Sequence, residues 1–124
     1  MHNAIRKHHI SFKNAFSGLK WALSSQPNFR VHLACAAIAI VTGLYVGLNQ
    51  IEWVVIVLTI VLSLSGEMIN TSIEAVTDLV TSEWKTEAKI AKDVSAGMML
   101  TIALGALTVA AVLLLPKLIL KLYP

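Results

Sequence analysis

Five polar residues interrupt an otherwise apolar stretch of the sequence: Glu67, Asn70, Thr71, Glu74 and Asp78. At about 100° per residue they fall on one stripe of a helix. An acidic side chain at the centre of a membrane helix costs about 2.5 to 3.5 kcal/mol on insertion scales, and such acids usually face a bundle interior or a water-filled cavity. Three aligned acids therefore predict a functional site.

These residue types suit the handling of a metal-bound phosphate. Two acids with an amide between them can hold a divalent cation, and Mg²⁺ needs only one or two carboxylates in addition to substrate phosphates. The neighbouring pair Lys92 and Asp93 adds a cation that can attract phosphate. Phosphoryl transfer requires an aligned hydroxyl, a base, a metal and cationic charge. The residues alone predict a site for a lipid and a metal-bound anion.

The position of the stripe along its helix indicates which molecules can reach it. Counted from Trp53 at 1.5 Å per residue, Glu67 lies about 21 Å along the helix, Glu74 about 31 Å and Asp78 about 37 Å. The stripe therefore crosses the inner boundary of a membrane. Glu67 can meet a lipid headgroup and Asp78 a soluble molecule, which suits a reaction that joins a lipid to a soluble reagent.

The composition predicts an all-helical integral membrane protein. The chain has 124 residues, of which 56% are hydrophobic and 14% charged, so residues 1–124 form a single domain. A membrane-spanning helix needs about 20 apolar residues. Three stretches satisfy this requirement and are predicted as transmembrane helices: 30–48, 53–79 and 96–115.

Residues 1–28 are predicted to form a cytoplasmic tail and an amphipathic surface helix. Between Ser11 and Gln26 apolar residues recur at helical spacing with polar residues opposite, which is typical of a helix lying in the membrane interface. Pro27 is expected to end this helix, because proline disfavours helical backbone in the preceding residue. His8 and His9 are adjacent, so they point to different faces and are interpreted as tail residues.

The distribution of basic residues predicts the orientation. Five Lys or Arg residues lie before or at the first residue of the first span and three lie in the expected loop 80–93, whereas the turn 49–52 has none. By the positive-inside rule the N-terminus and the loop 80–93 are cytoplasmic. The net charge of +3 is best explained by anionic lipid headgroups, since the basic residues lie beside apolar spans, and no nucleic-acid partner is expected.

The segment Glu67–Asp78, followed by 91–93 and 96–97, closely resembles the bacterial diacylglycerol kinase family of small integral membrane lipid kinases, which includes undecaprenol kinases. The similarity also covers 18–20 and 28–32, and thus nearly the whole chain. The resemblance implies a homotrimer in the bacterial inner membrane that uses ATP and Mg²⁺ to phosphorylate a membrane alcohol.

The resemblance also implies roles for residues of the stripe. Glu67 matches the general base that takes the proton from the lipid hydroxyl, and Asn70 would orient that hydroxyl. Glu74 would ligate the metal and bind the nucleotide, and Asp78 would help hold the nucleotide. Each role follows from the matching position in the family motif.

Further residues are expected on the nucleotide side. By the same resemblance Lys92 steadies the phosphates and Asp93 lies beside it. Many family members have a glutamate where this sequence has Gln26, and that glutamate helps to hold the metal. An amide oxygen can bind Mg²⁺ but brings no charge. Gln26 is therefore expected to bind the metal and the nucleotide together with Glu74. Metal binding is expected to be weaker than with a glutamate at this position, unless another group supplies the missing charge.

Two questions stay open at the level of sequence. The segment Asn28–His32 is closer to the undecaprenol kinases of Gram-positive bacteria, which favours undecaprenol over diacylglycerol without deciding between them. The alternative function is a small channel or ion-conducting subunit. A channel needs polar residues across the whole bilayer, and the stretch 53–64 offers little beyond Thr59 and Ser63, so the enzyme is favoured. His32 is interpreted as an interfacial residue and Cys35 as a small buried thiol.

Overall fold

The computed structural model describes the backbone of residues 2–123 and the side chains of residues 11–123. Within these residues the chain forms four helices: α1 (His2–Ser25), α2 (Pro27–Val46), α3 (Gln50–Val80) and α4 (Thr86–Leu122). Helices α2, α3 and α4 are each long and apolar enough to cross a membrane. The predicted all-helical fold, with three membrane-length helices after an N-terminal helix, is confirmed.

The break between α1 and α2 lies where the sequence predicts it. Gln26 adopts an extended backbone conformation and Pro27 is the first residue of α2, a position at which the missing proline N–H costs nothing. Helix α1 begins at His2, well before the expected start at Ser11. It leaves Phe12 and Phe16 largely exposed, as expected for an interfacial helix. The interpretation of His8 and His9 falls outside the residues whose side chains are described.

The connection between α2 and α3 is shorter than predicted. Gly47 has a positive φ of 75°, and its N–H and that of Leu48 both bind the Gly43 carbonyl oxygen at 3.1 Å, which ends α2. Asn49 then caps α3: its Oδ1 accepts from the Glu52 N–H at 3.0 Å, while Glu52 Oε2 accepts from the Asn49 N–H at 2.7 Å. The predicted turn 49–52 is wrong, because this capping box already belongs to the helix.

Helix α4 is much longer than the predicted span 96–115. It runs from Thr86 to Leu122, about 55 Å, so the expected loop 80–93 shrinks to 81–85. The reason is that residues 86–93 contain mainly Glu, Ala and Lys, which are strong helix formers even where hydropathy is low. Hydropathy therefore locates the membrane segment but not the end of the helix.

Helices α3 and α4 pack closely along an antiparallel interface. A Cβ atom added at Gly66 would lie 2.6 Å from Ile102 Cδ1 and 3.1 Å from Met99 Sδ, so the absence of a side chain permits this approach. Near the α2–α3 turn the core consists of Leu48, Ile56 and Leu114. Most other large apolar side chains face outward, as expected for a protein surrounded by lipid.

Cys35 differs from its prediction, because its side chain is exposed on the surface of the described chain. The physical reason is that a bilayer offers an apolar environment outside the protein, so an apolar residue in a span need not be buried within it.

An ion pair joins the start of α3 to the end of α4. Lys117 Nζ lies 2.7 Å from Glu52 Oε2, and the Glu52 side chain is only 17% exposed. One turn further along α4, Lys121 Nζ lies 5.9 Å from the centre of the Tyr45 ring of α2. These contacts hold the segment of α4 that follows Pro116 against the other two helices.

Candidate active site

The polar stripe of α3 turns towards the interior of the bundle. Glu67 is 3% exposed and Asn70 is 6% exposed, and Ser95 of α4 is 3% exposed. Together with Ser63, these are the buried polar side chains of the part of the chain that the structure describes. These buried polar residues thus lie between the middle of the bundle and the α3–α4 loop.

Asn70 links α4 to an acid of the stripe. Its Nδ2 donates to Glu74 Oε1 at 3.1 Å, and its Oδ1 accepts a hydrogen bond from Ser95 Oγ. Glu74 is half-buried and lies one helical turn beyond Asn70. The amide predicted to orient a substrate hydroxyl therefore also binds the carboxylate predicted to hold a metal.

Two residues at the start of α2 approach Glu67. Asn28 and His32 lie close enough to act on its carboxyl group, as does Glu74 of its own helix. Asn28 and His32 are four residues apart and therefore share a helix face. The sequence predicts an interfacial position for His32 and no separate role for Asn28, although their spacing indicates a shared helix face.

Ser95 has no role among those predicted from the sequence. A serine within an apolar helix carries no signal by itself, because its hydroxyl usually bonds to the backbone of its own helix. The only hint was its spacing of three residues from Lys92, which places both side chains on the same face of α4.

The predicted nucleotide residues gather at the α3–α4 loop. Lys92 Nζ forms an ion pair with Asp78 Oδ1 at 2.5 Å, and Lys89 pairs with Asp93. All four side chains line an open cleft of about 580 Å³, which also includes Trp84. Exposed ion pairs of this kind contribute little to stability, so their charges remain available to a ligand.

The structure leaves Gln26 apart from the hydrogen-bonded network. Gln26 is half-buried at the N-terminus of α2, and within residues 11–123 no hydrogen bond joins it to Glu74. The same described residues contain no group of three His, Cys, Asp or Glu side chains arranged to hold a metal. The donor set fits a Mg²⁺ ion that shares its ligands with nucleotide phosphates, and it does not form a closed metal site of its own.

An apolar cleft of about 260 Å³ opens between α2, α3 and α4. Small side chains dominate its walls, among them Ala36, Ala39 and Ala106. The hydroxyls of Thr59 and Ser63 also border it, but each donates to a carbonyl oxygen of α3, at 2.8 and 2.9 Å. At these two residues the cleft therefore presents no unpaired hydroxyl donor. Ser63 lies one helical turn from Glu67, so the cleft begins next to that carboxyl group.

The comparison with known proteins agrees with this geometry. Residues 13–114 match the model of the prokaryotic diacylglycerol kinase family. A diacylglycerol kinase of Synechocystis is 38% identical over 111 residues, which cover 89% of this chain and 63% of that protein. An undecaprenol kinase of Bacillus subtilis is 34% identical over 116 residues, which cover 94% of each chain.

A further match reaches a diacylglycerol kinase of Helicobacter pylori, 35% identical over 83 residues, or 67% of this chain and 65% of that protein. The names of all three relatives agree with the lipid kinase expected from the sequence, and the predicted family is confirmed. With the family match covering most of its length, the chain belongs to the prokaryotic diacylglycerol kinase family.

Proposed function

We propose that the protein transfers the γ-phosphate of ATP to the hydroxyl of a membrane lipid alcohol at the cytoplasmic face of the bacterial inner membrane. The observation that carries the proposal is the continuous polar path along α3. It leads from buried Glu67 through Asn70 and Glu74 to the open cleft at Asp78. Such a path connects a lipid held in the membrane with a nucleotide held in water.

The buried end of the path serves the lipid. Glu67 accepts the proton of the lipid hydroxyl while the hydroxyl oxygen forms a bond to the γ-phosphorus. The bond between the γ-phosphorus and the β–γ bridging oxygen breaks, and its electron pair leaves with ADP. The adjacent apolar cleft accommodates the hydrocarbon chain, because its walls are made of small side chains and its hydroxyls are already paired. Asn70 orients the attacking hydroxyl.

The open end of the path serves the nucleotide. Lys92 lies where its charge can offset that of the phosphate oxygens. Asp78 holds the Lys92 ammonium group in place, and Asp93 holds that of Lys89. Glu74 is the carboxylate that would hold Mg²⁺, and Gln26 would add a neutral oxygen. When bound with ATP, the ion supplies positive charge to the phosphates during transfer.

We further propose undecaprenol as the preferred acceptor. The Bacillus subtilis undecaprenol kinase matches along 94% of both chains, whereas the match to the Synechocystis diacylglycerol kinase spans 63% of that protein. The segment Asn28–His32 supports the same choice, and the structure places two of its side chains near Glu67.

We also propose a homotrimer. Glu74 is half-buried and Asp78 is exposed in the single chain, and a neighbouring protomer would cover this side of the stripe. Light scattering of the protein in detergent, with the detergent mass subtracted, tests the subunit number.

The structure offers no support for the alternative of a channel. Between Ser63 and the Glu52–Lys117 pair near the α2–α3 turn, the buried side chains are apolar: Ile56, Leu48 and Leu114. An ion path would need polar groups or water along this stretch.

The decisive experiment measures phosphate transfer from labelled ATP in lipid vesicles that contain either undecaprenol or diacylglycerol. We expect transfer to undecaprenol to be faster, and we expect Glu67→Gln to lower kcat about 10²-fold to 10⁴-fold, the usual contribution of a general base. Glu87→Gln, an exposed residue in the first turn of α4, is the matched control and should retain activity. Transfer to neither lipid, or equal transfer by Glu67→Gln, would refute the proposal.

A further inference from the structure

Ser95 uses its hydroxyl differently from the other hydrogen-bonded serines and threonines of α3 and α4. Those side chains donate to the backbone carbonyl four residues earlier in their own helix, as seen for Thr59, Ser63, Ser72, Thr77, Thr101 and Thr108. Ser95 instead donates across the helix interface to Asn70 Oδ1. Both residues are more than 90% buried, so water does not compete for this bond.

The chemistry of the three groups fixes the direction of the hydrogen bonds. The Asn70 NH₂ group donates to Glu74 Oε1, since the amide nitrogen is a donor and the carboxyl oxygen is an acceptor. The Asn70 carbonyl oxygen then faces the opposite way and requires a donor, which the Ser95 hydroxyl provides. No buried side-chain nitrogen or oxygen of the described residues lacks a partner. Donation therefore runs in one direction, from α4 through Asn70 to Glu74.

We propose that Ser95 is a positioning residue, which fixes the amide of Asn70 so that its NH₂ group holds the Glu74 carboxylate in place for metal and nucleotide. The proposal rests on the function proposed above, since it assigns Ser95 to the same site. Without the Ser95 hydroxyl, the buried Asn70 oxygen has no donor, and the amide can rotate away from its present orientation to find another partner. The NH₂ group would then no longer be aligned with the Glu74 carboxylate, and Glu74 would lose its support.

A purely structural role for Ser95 makes a different prediction. An interhelical hydrogen bond in a membrane protein stabilises the bundle modestly, and its loss would lower the unfolding temperature without altering how the enzyme responds to Mg²⁺. The Mg²⁺ dependence of the rate therefore separates the two roles.

The first experiment compares Ser95→Ala with Ser72→Ala. The control removes a hydroxyl from α3 only two residues from Asn70, but that hydroxyl bonds to the Met68 carbonyl of its own helix. We expect Ser95→Ala to raise the Mg²⁺ concentration for half-maximal rate about threefold to tenfold, the loss expected for one hydrogen bond. Ser72→Ala should leave it unchanged. An unchanged Mg²⁺ dependence in Ser95→Ala overturns the proposal.

A double-mutant cycle tests whether Ser95 acts through Asn70. In the Asn70→Ala background no amide remains to be oriented, so adding Ser95→Ala should change the Mg²⁺ dependence by less than about twofold. If Ser95→Ala has its full effect in that background, the two residues act independently and the proposal is wrong.

A third measurement does not depend on kinase activity. The side-chain ¹⁵N–¹H signals of Asn70 report the environment of its NH₂ group, and they should shift in Ser95→Ala but not in Ser72→Ala. If the wild-type protein transfers no phosphate while these signals shift as expected, the proposed function fails and the hydrogen bond stands. If the signals do not move, the positioning role itself is refuted.

Discussion

Replacing Gln26 by glutamate adds a negative charge at the position where the family resemblance implies a metal-binding glutamate. Gln26 is the N-cap residue of α2, half-buried, and its side chain makes no capping hydrogen bond. The variant Gln26→Glu therefore changes two quantities that can be measured separately, the stability of the helix and the affinity of the site for Mg²⁺.

The expected magnitudes follow from this position. A carboxylate at a helix N-terminus stabilises by about 0.3 to 1 kcal/mol through the helix dipole. If Gln26 belongs to the metal site, its carboxylate replacement lies within about 8 Å of the ion, where a unit charge and a divalent ion attract each other by about 1 kcal/mol or more in water. At low ionic strength we therefore expect Gln26→Glu to lower the Mg²⁺ concentration for half-maximal rate by at least about fivefold.

Gln50→Glu is the matched control, because Gln50 is the first residue of α3 and exposed, but lies at the opposite end of the bundle. It adds the same charge at a helix N-terminus, so it should affect stability in a similar way and leave the Mg²⁺ dependence unaltered. The assay is the initial rate of phosphate transfer at fixed ATP and varied Mg²⁺, together with thermal unfolding of each variant. If Gln26→Glu becomes more stable but needs as much Mg²⁺ as the wild type, Gln26 is a helix-capping position outside the metal site.

Three further predictions concern other parts of the molecule. Lys92→Met should raise the KM for ATP about tenfold or more, because a charged contact to phosphate is lost. The melting temperature should change little, because the ion pair with Asp78 is exposed. Unaltered ATP kinetics would contradict the assignment of Lys92 to the nucleotide site. Lys117→Met should lower the melting temperature of the bundle because it leaves Glu52 with less charge compensation, and adding Glu52→Gln should recover part of that loss in thermal unfolding. Ala106→Phe should fill the apolar cleft and lower the rate with lipid at an unchanged KM for ATP, whereas a normal rate would show that the lipid chain lies elsewhere.

Much of the fold could be predicted because a bilayer imposes strong rules on sequence. Long apolar stretches locate the spans, and Pro27 marks the break between α1 and α2. The inward orientation of Glu67 and Asn70 also follows from the sequence, since aligned acids cannot face lipid.

The remaining features depend on information that hydropathy does not contain. The first turns of α4 are polar and helical because of backbone propensity, and Asn49 belongs to a cap because of its pairing with Glu52. Cys35 is exposed because lipid can replace a protein core. The contact of Ser95 with Asn70 depends on how α3 and α4 align in space, which neither helix specifies by itself.

The three cross-helix hydrogen bonds between α3 and α4 share one polarity. Lys92, Ser95 and Lys117 of α4 donate, and Asp78, Asn70 and Glu52 of α3 accept. Because each residue turns a helix by about 100°, deleting or inserting one residue between positions 52 and 78 would swing the acceptors on one side of the change away from their donors. The number of residues from 52 to 78 therefore sets the alignment of α3 with α4: a substitution keeps this alignment, but a change in length would separate at least one donor from its acceptor.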